Sequence, residues 1–291
     1  MAVEERDPQS GWMTTGHEWN GIKELNTPVP RAIWFFLILS ALFSLGYWIL
    51  MPAWPLGRDY TRGLLGLDQR DIVMHDVAAG AAARAGWVDR IRDRDFAAIQ
   101  ADPVLMADVR RTGRTLFGDN CAACHGLAAS GGPGFPTLTA PSSLWGGDPA
   151  TLAETIRVGI NSTHPDSRSS QMLAFGRDGI LTRADIGNVV AYVRNLANLQ
   201  PAGSAAQIQA GKAVFAANCV SCHGQDGKGL AAMGAPDLTD GQWIYGHDPQ
   251  SLFNTVWGGR QGHMPSWDGR LPPVDIKILA LYLADLRRAQ P

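Results

Sequence analysis

Two pentapeptides constrain this chain more than any other feature: Cys121-Ala-Ala-Cys124-His125 and Cys219-Val-Ser-Cys222-His223, each followed at once by a glycine, Gly126 and Gly224. They hold all four cysteines of the 291 residues. Two thiols three residues apart on one helical turn can each add to a vinyl group of the same haem, and the adjoining histidine then reaches the iron. C-x-x-C-H is therefore the signature of c-type haem attachment. A dithiol redox pair or half of a four-cysteine zinc site shares the C-x-x-C spacing. Neither explains both histidines, and the second knuckle of a zinc ribbon usually follows the first by roughly 15 to 20 residues, far fewer than separate these motifs. The sequence predicts two covalently bound haems c, attached at Cys121, Cys124, Cys219 and Cys222, with His125 and His223 as the proximal iron ligands.

The motifs sit in a duplicated module. Gly113-x-x-x-Phe117-x-x-x-Cys121 matches Gly211-x-x-x-Phe215-x-x-x-Cys219 at a constant offset, the mark of an internal repeat. The likeness continues in Pro136-Thr-Leu-Thr139 and Pro236-Asp-Leu-Thr239, in Asp148-Pro149 and Asp248-Pro249, and in Asp185-Ile186 with Tyr192 against Asp275-Ile276 with Tyr282. Apolar residues at helical spacing, such as Leu152, Ile156 and Ile160, or Ile278, Leu279, Leu281, Tyr282 and Leu286, make each module a small helical domain. At such a size a buried haem helps compensate for limited apolar burial.

Each iron needs a sixth ligand, and methionine is the usual partner of histidine in electron-transfer cytochromes c because its thioether raises the potential. Met172, in Ser170-Gln-Met-Leu, is the methionine available to the first module after its haem motif. Met264, in Gly262-His-Met-Pro265, resembles the methionine loop of class I cytochromes c and is expected to serve the second. Met233 follows His223 too closely to wrap round the ring and is expected to pack in a loop. His164, His247 and His263 are the rival ligands. Met74 and Met106 precede the first module and are expected only to pack, and Trp145, Trp243, Trp257 and Trp267 are candidates to wall the haem pockets.

From Ala32 to Trp54 no residue is charged, and a helix through this run is about 30 Å long or slightly more, enough to cross a bilayer. Trp34, Trp48 and Trp54 lie near its ends, where interfacial aromatics are expected. The run starts late, and no A-x-A cleavage pattern follows it, so an uncleaved anchor is expected in place of a signal peptide. Lys23 and Arg31 on one side face Arg58, Arg62 and Arg70 on the other, so the positive-inside rule does not orient it. Haem attachment outside the cytoplasm does, placing the haem modules in the periplasm and the N-terminus in the cytoplasm of a bacterial inner membrane. A formal net charge of -2 supplies no basic field for nucleic acid.

The expected organisation is an N-terminal cytoplasmic segment (1–31), a transmembrane helix (32–54), a periplasmic juxtamembrane linker (55–104), a first cytochrome c domain (105–198), a short linker (199–205) and a second cytochrome c domain (206–291). The fold class is all-α, one N-terminal transmembrane helix followed by two tandem class I cytochrome c-like domains. This layout, with Thr15-Gly-His-Glu-Trp-Asn-Gly-Ile-Lys-Glu-Leu-Asn-Thr-Pro-Val-Pro-Arg31 before the membrane, resembles the CcoP (FixP) subunit of cbb(3)-type cytochrome c oxidases along essentially the whole chain. Asn20 and Thr27 depart from the family pattern, which has an acidic residue and an asparagine there. His17 is expected to pack or hydrogen-bond at a subunit contact.

The resemblance implies a di-haem electron conduit. It would take electrons from a soluble or membrane-anchored donor cytochrome c and pass them to the mono-haem subunit CcoO, then to the oxygen-reducing subunit CcoN, with CcoQ as a further partner. Oxygen reduction and proton translocation would belong to the complex, with no catalytic residue in this chain. The alternative is a membrane-anchored di-haem carrier serving another respiratory dehydrogenase or reductase, which the haem modules alone fit equally well.

Overall fold

The computed structural model describes residues 5–140 and 144–288. It divides into two compact units, Met1–Ala83 and Arg84–Pro291.

In the first unit the pre-membrane string forms a β-hairpin. Strand β1 (Thr14–Trp19) pairs antiparallel with β2 (Ile22–Leu25), with Trp19 opposite Ile22 and Glu18 opposite Lys23. The turn is Asn20-Gly21, both left-handed at φ 52° and 84°. That pair of residues is the one a two-residue hairpin of right-handed twist prefers. The all-α expectation thus has one exception, legible in the Asn-Gly pair and overlooked beside the helical signals. Asn20 serves the turn. Glu24 gathers the hairpin's polar side chains, accepting from Thr15 Oγ1 and Trp19 Nε1, each at 3.1 Å, with His17 Nδ1 3.6 Å away. Helix α1 (Arg31–Leu50) starts after Pro30 and ends where Met51 turns extended before Pro52. It is apolar and exposed along its length. Its last carbonyls, on Ile49 and Leu50, accept from Leu64 and Leu65.

The second unit is helical. Helix α2 (Gln69–Asp93) begins within the first unit, and its last turns, from Arg84 on, deliver Trp87 and Ile91 to the core of the second, followed by α3 (Phe96–Gln100) and α4 (Pro103–Asn120). The segment before the first haem motif is therefore largely helical, with Ile91 and Ile99 fully buried. Met106 packs in that core and Met74 is exposed. The short turns α5 (Ala122–His125) and α9 (Val220–His223) carry the haem motifs. They stand beside α6 (Pro149–Val158), α7 (Arg183–Leu196), α8 (Ala205–Asn218), α10 (Pro249–Gly258) and α11 (Pro273–Arg288).

The helices do not pack in the order of the repeat. Helix α4, which leads into the first motif, packs with α11 from the far end of the chain, and α6 packs on α11 as well. Helix α8, which leads into the second motif, packs on α7, and α10 joins it there. Two ring pairs mark the crossing: Phe117 against Tyr282 with centroids 6.1 Å apart, and Tyr192 against Phe215 at 5.3 Å. Gly113 faces Tyr282, and Gly211 faces Asn188 and Tyr192, so in both pairs a glycine lets the helices approach closely.

Candidate haem-attachment sites

Each leading helix ends at the first cysteine of its motif. Cys121 N–H donates to Phe117 O and Cys219 N–H to Phe215 O, both at 2.8 Å. The chain then makes one tight turn through the second cysteine to the histidine, and Gly126 (φ 74°) and Gly224 (φ 75°) reverse it in a conformation that favours glycine. All four cysteines are free thiols. Burial, with a smaller contribution from its neighbour in the motif, pushes the Cys121 thiol up to about 11, and the same causes push Cys219 up to about 11. Raised in this way, the half-buried Cys121 and Cys219 are protonated thiols, unlike the activated thiolates of a redox pair.

The histidines are oriented by the repeat. His125 Nδ1 lies 3.1 Å from Pro136 O, and His223 Nδ1 lies 3.1 Å from Pro236 O. A backbone carbonyl accepts only from N–H, so Nδ1 carries the proton and Nε2 is left with its lone pair for a metal. Burial holds both imidazoles below their ordinary pKa, against the opposing pull of the proline carbonyl. A half-buried neutral imidazole with a fixed tautomer is an iron ligand in waiting. The Pro-x-Leu-Thr repeat was visible in the sequence, but its role was not, because the working atom belongs to the backbone.

The methionine loops follow the crossing. Met264, like Cys121 and Ala122, packs against the buried core that contains Phe117. Its backbone pairs with Ile160 just beyond α6, through two hydrogen bonds of 2.9 Å. Met172 pairs reciprocally with Arg260, just beyond α10, at 2.8 and 3.0 Å. Sequence order assigns Met172 to the first motif and Met264 to the second; the packing brings each to the other's half.

Two arginines were missed. Arg168 stacks 5.1 Å from the Trp145 ring and donates through Nε to Thr155 Oγ1 at 2.9 Å. Arg260 stacks 4.2 Å from the Tyr245 ring and donates to Thr255 Oγ1 at 3.1 and 2.8 Å. Each guanidinium ties the loop after α6 or α10 back to that helix. They occupy unlike positions in the two repeats, so alignment of the repeats could not find them.

Of the tryptophans, Trp267 packs in the first core, and Trp243 and Trp257 in the cluster around Ile186, Val190 and Leu252. Met233 is exposed in a single 3-10 turn. His164 is engaged elsewhere, with Nε2 3.2 Å from Asp268 and Nδ1 accepting from Asp166 N–H at 3.0 Å.

A haem c fits this donor set. Paired thiols adjoin an oriented, neutral imidazole in each half. The indole N–H of Trp243 is also buried with no acceptor among the described residues, as expected beside a group that brings its own carboxylates.

Two cysteine-pair turns of this kind, each walled by helices and preceded in the chain by an apolar helix of membrane-spanning length, define a membrane-anchored cytochrome c. Family models agree along the chain: the N-terminal domain of cytochrome oxidase-cbb3, FixP, matches residues 11–58, cytochrome c matches 111–197, and cytochrome c oxidase, cbb3-type, subunit III matches 206–283. The chain is 45% identical to the cbb3-type cytochrome c oxidase subunit FixP of Bradyrhizobium sp. (strain ORS 278) over 97% of each. It is 42% identical to the subunit CcoP of Azospirillum brasilense, over 98% of this chain and 99% of that one. It is 41% identical to the CcoP of Cereibacter sphaeroides over 94% of each. The chain belongs to the FixP/CcoP family and is an electron-transfer subunit of a cbb3-type cytochrome c oxidase.

Proposed function

We propose that this chain carries two haems c with crossed axial ligation: His125 with Met264 on the haem attached at Cys121 and Cys124, and His223 with Met172 on the haem attached at Cys219 and Cys222. The observation that carries the reading is that Met264 lies against the same buried core as Cys121 and Ala122, together with the matching Met172–Arg260 backbone pair beside α10. Bound haem c supplies a one-electron ferric/ferrous couple. The chain's own residues do the rest. The cysteines hold the group as thioethers, the proline carbonyls fix each imidazole, and the methionine thioethers favour the reduced state. Phe117, Tyr282, Tyr192, Phe215 and the tryptophans limit water.

The role that follows is conduction. Electrons from a periplasmic donor cytochrome c enter this subunit and leave for CcoO and then CcoN, with CcoQ as a further contact. The oxygen site and proton translocation lie on other subunits, and catalysis needs no residue of this chain. Helix α1 anchors it in the bacterial inner membrane with the hairpin cytoplasmic and both haem halves periplasmic. This orientation rests on attachment of haem c outside the cytoplasm.

An affinity-tagged chain taken from gently solubilised membranes tests the reading. Two haems c per chain, co-purifying with b-type haem, copper and oxygen uptake, are expected. The same two haems with no oxidase would favour the independent carrier. For the crossing, a C219S/C222S variant keeps only the first haem. Its far-red methionine-to-iron band should vanish on adding Met264→Ala and survive Met172→Ala; the reverse pattern would restore the sequence-order assignment.

A further inference from the structure

Beyond α6 the chain turns through Asn161, whose φ of 48° is left-handed, a conformation that few residues besides glycine, asparagine and aspartate adopt readily. Its side-chain amide reaches both methionine loops. Nδ2 donates to Ser170 O at 2.8 Å and to Gly262 O at 2.6 Å, while Oδ1 accepts from Ser170 N–H at 3.1 Å. Ser170 stands two residues before Met172, and Gly262 two residues before Met264. A primary amide has two protons, and here each is given to a different loop. Asn161's own N–H donates to Arg168 O at 2.7 Å, which fixes the amide from behind. The equivalent position beyond α10 is Gln261, which is exposed.

We propose that Asn161 is a shared positioning residue for both iron-ligating methionines, so that the sixth-ligand loops of the two haems are coupled through one side chain. The proposal rests on the methionine ligation given above. Independent loops would each carry their own tether. Here the loop approaching the first motif's half and the loop approaching the second's converge on one amide, at the same offset from each methionine. Loosening it therefore acts on both irons, whereas a defect in one half's packing acts on one.

The test uses the full-length, haem-loaded chain in detergent. N161D keeps size and shape but offers no N–H, turning two donor contacts into carbonyl–carboxylate repulsion. N161G removes the amide while accepting the left-handed backbone, and so keeps the question open to measurement if the aspartate variant fails to assemble. Both variants are expected to lower the two potentiometric waves together. They should also tighten binding of imidazole, which competes with methionine, by roughly fivefold at each iron, the order expected for one neutral hydrogen bond. Q261A should leave both irons as in wild type. Unchanged waves and imidazole affinities, or changes confined to one haem, would overturn the proposal. A wild-type chain without the far-red methionine band, or one whose band survives M172A and M264A together, would instead sink the ligation reading and the proposal with it.

Discussion

The indole N–H of Trp243 is a test of the site at the scale of one atom. It is buried beside Leu252, Phe253 and Trp257 with no acceptor among the described residues. A buried donor left unpaired costs about 1–3 kcal/mol. If the acceptor is a haem carboxylate, Trp243→Phe should destabilise the haem-loaded chain by about that amount and leave the haem-free chain unchanged or slightly more stable. Guanidinium unfolding of both forms, followed by the haem absorption and by circular dichroism, gives the comparison; equal effects on the two forms would remove the haem from the account. At this scale the sequence was most legible where chemistry fits within five residues, as in the two motifs. It was illegible where the working group is a backbone carbonyl, as at Pro136 and Pro236, or where equivalent roles fall at unlike repeat positions, as at Arg168 and Arg260.

Among the elements, helix starts were readable because their caps are local. Asp148-Pro149 and Asp248-Pro249 place an acceptor at the N-cap and proline in the first turn, and both helices begin there. Hydrogen bonds from the Thr151 hydroxyl and backbone hold the Asp148 carboxyl below the ordinary aspartate range. A depressed carboxylate contributes stability that is complete above its unfolded value and fades as pH falls through the folded one. D148N keeps the cap acceptor but cannot titrate, so stability should fall less steeply with acid below about pH 4. Thermal melts of wild type and variant across that range measure it, and parallel curves would discount the cap. The helix contacts give a larger effect. A Cβ on Gly113 would sit 2.6 Å from Tyr282 Cβ, so Gly113→Ala should cost about 1–3 kcal/mol by overpacking, read from the denaturation midpoint. The glycine was visible as a repeat, but its partner was not, because Tyr192 and Tyr282 are equivalent in sequence and either would satisfy the pattern.

For the molecule as a whole, that ambiguity is why the crossing escapes the sequence. A duplicated chain offers each leading helix two nearly identical closing helices, and neither periodicity nor motif spacing says which copy it takes. Packing decides it: α4 closes on α11, and α8 on α7. A chain ending at Leu199 therefore keeps Cys121, Cys124, His125, α4 and α6 but loses the helix they pack against and the loop bearing Met264. Ile276, Ile278, Leu279, Leu281, Tyr282 and Leu283 all leave the first core with it. Each such side chain is worth about 1.5–3 kcal/mol when fully buried, so the loss rivals the roughly 5–15 kcal/mol that hold an ordinary domain folded. The truncated chain should attach haem at the first motif yet show no methionine band, melt without a cooperative transition and bind added imidazole freely. A domain closed within its own repeat would instead retain Met172 on that iron, with the band and a sharp melt. Spectra and melting curves of the truncated chain thus distinguish two cytochrome c domains in series from two that close on each other's helices.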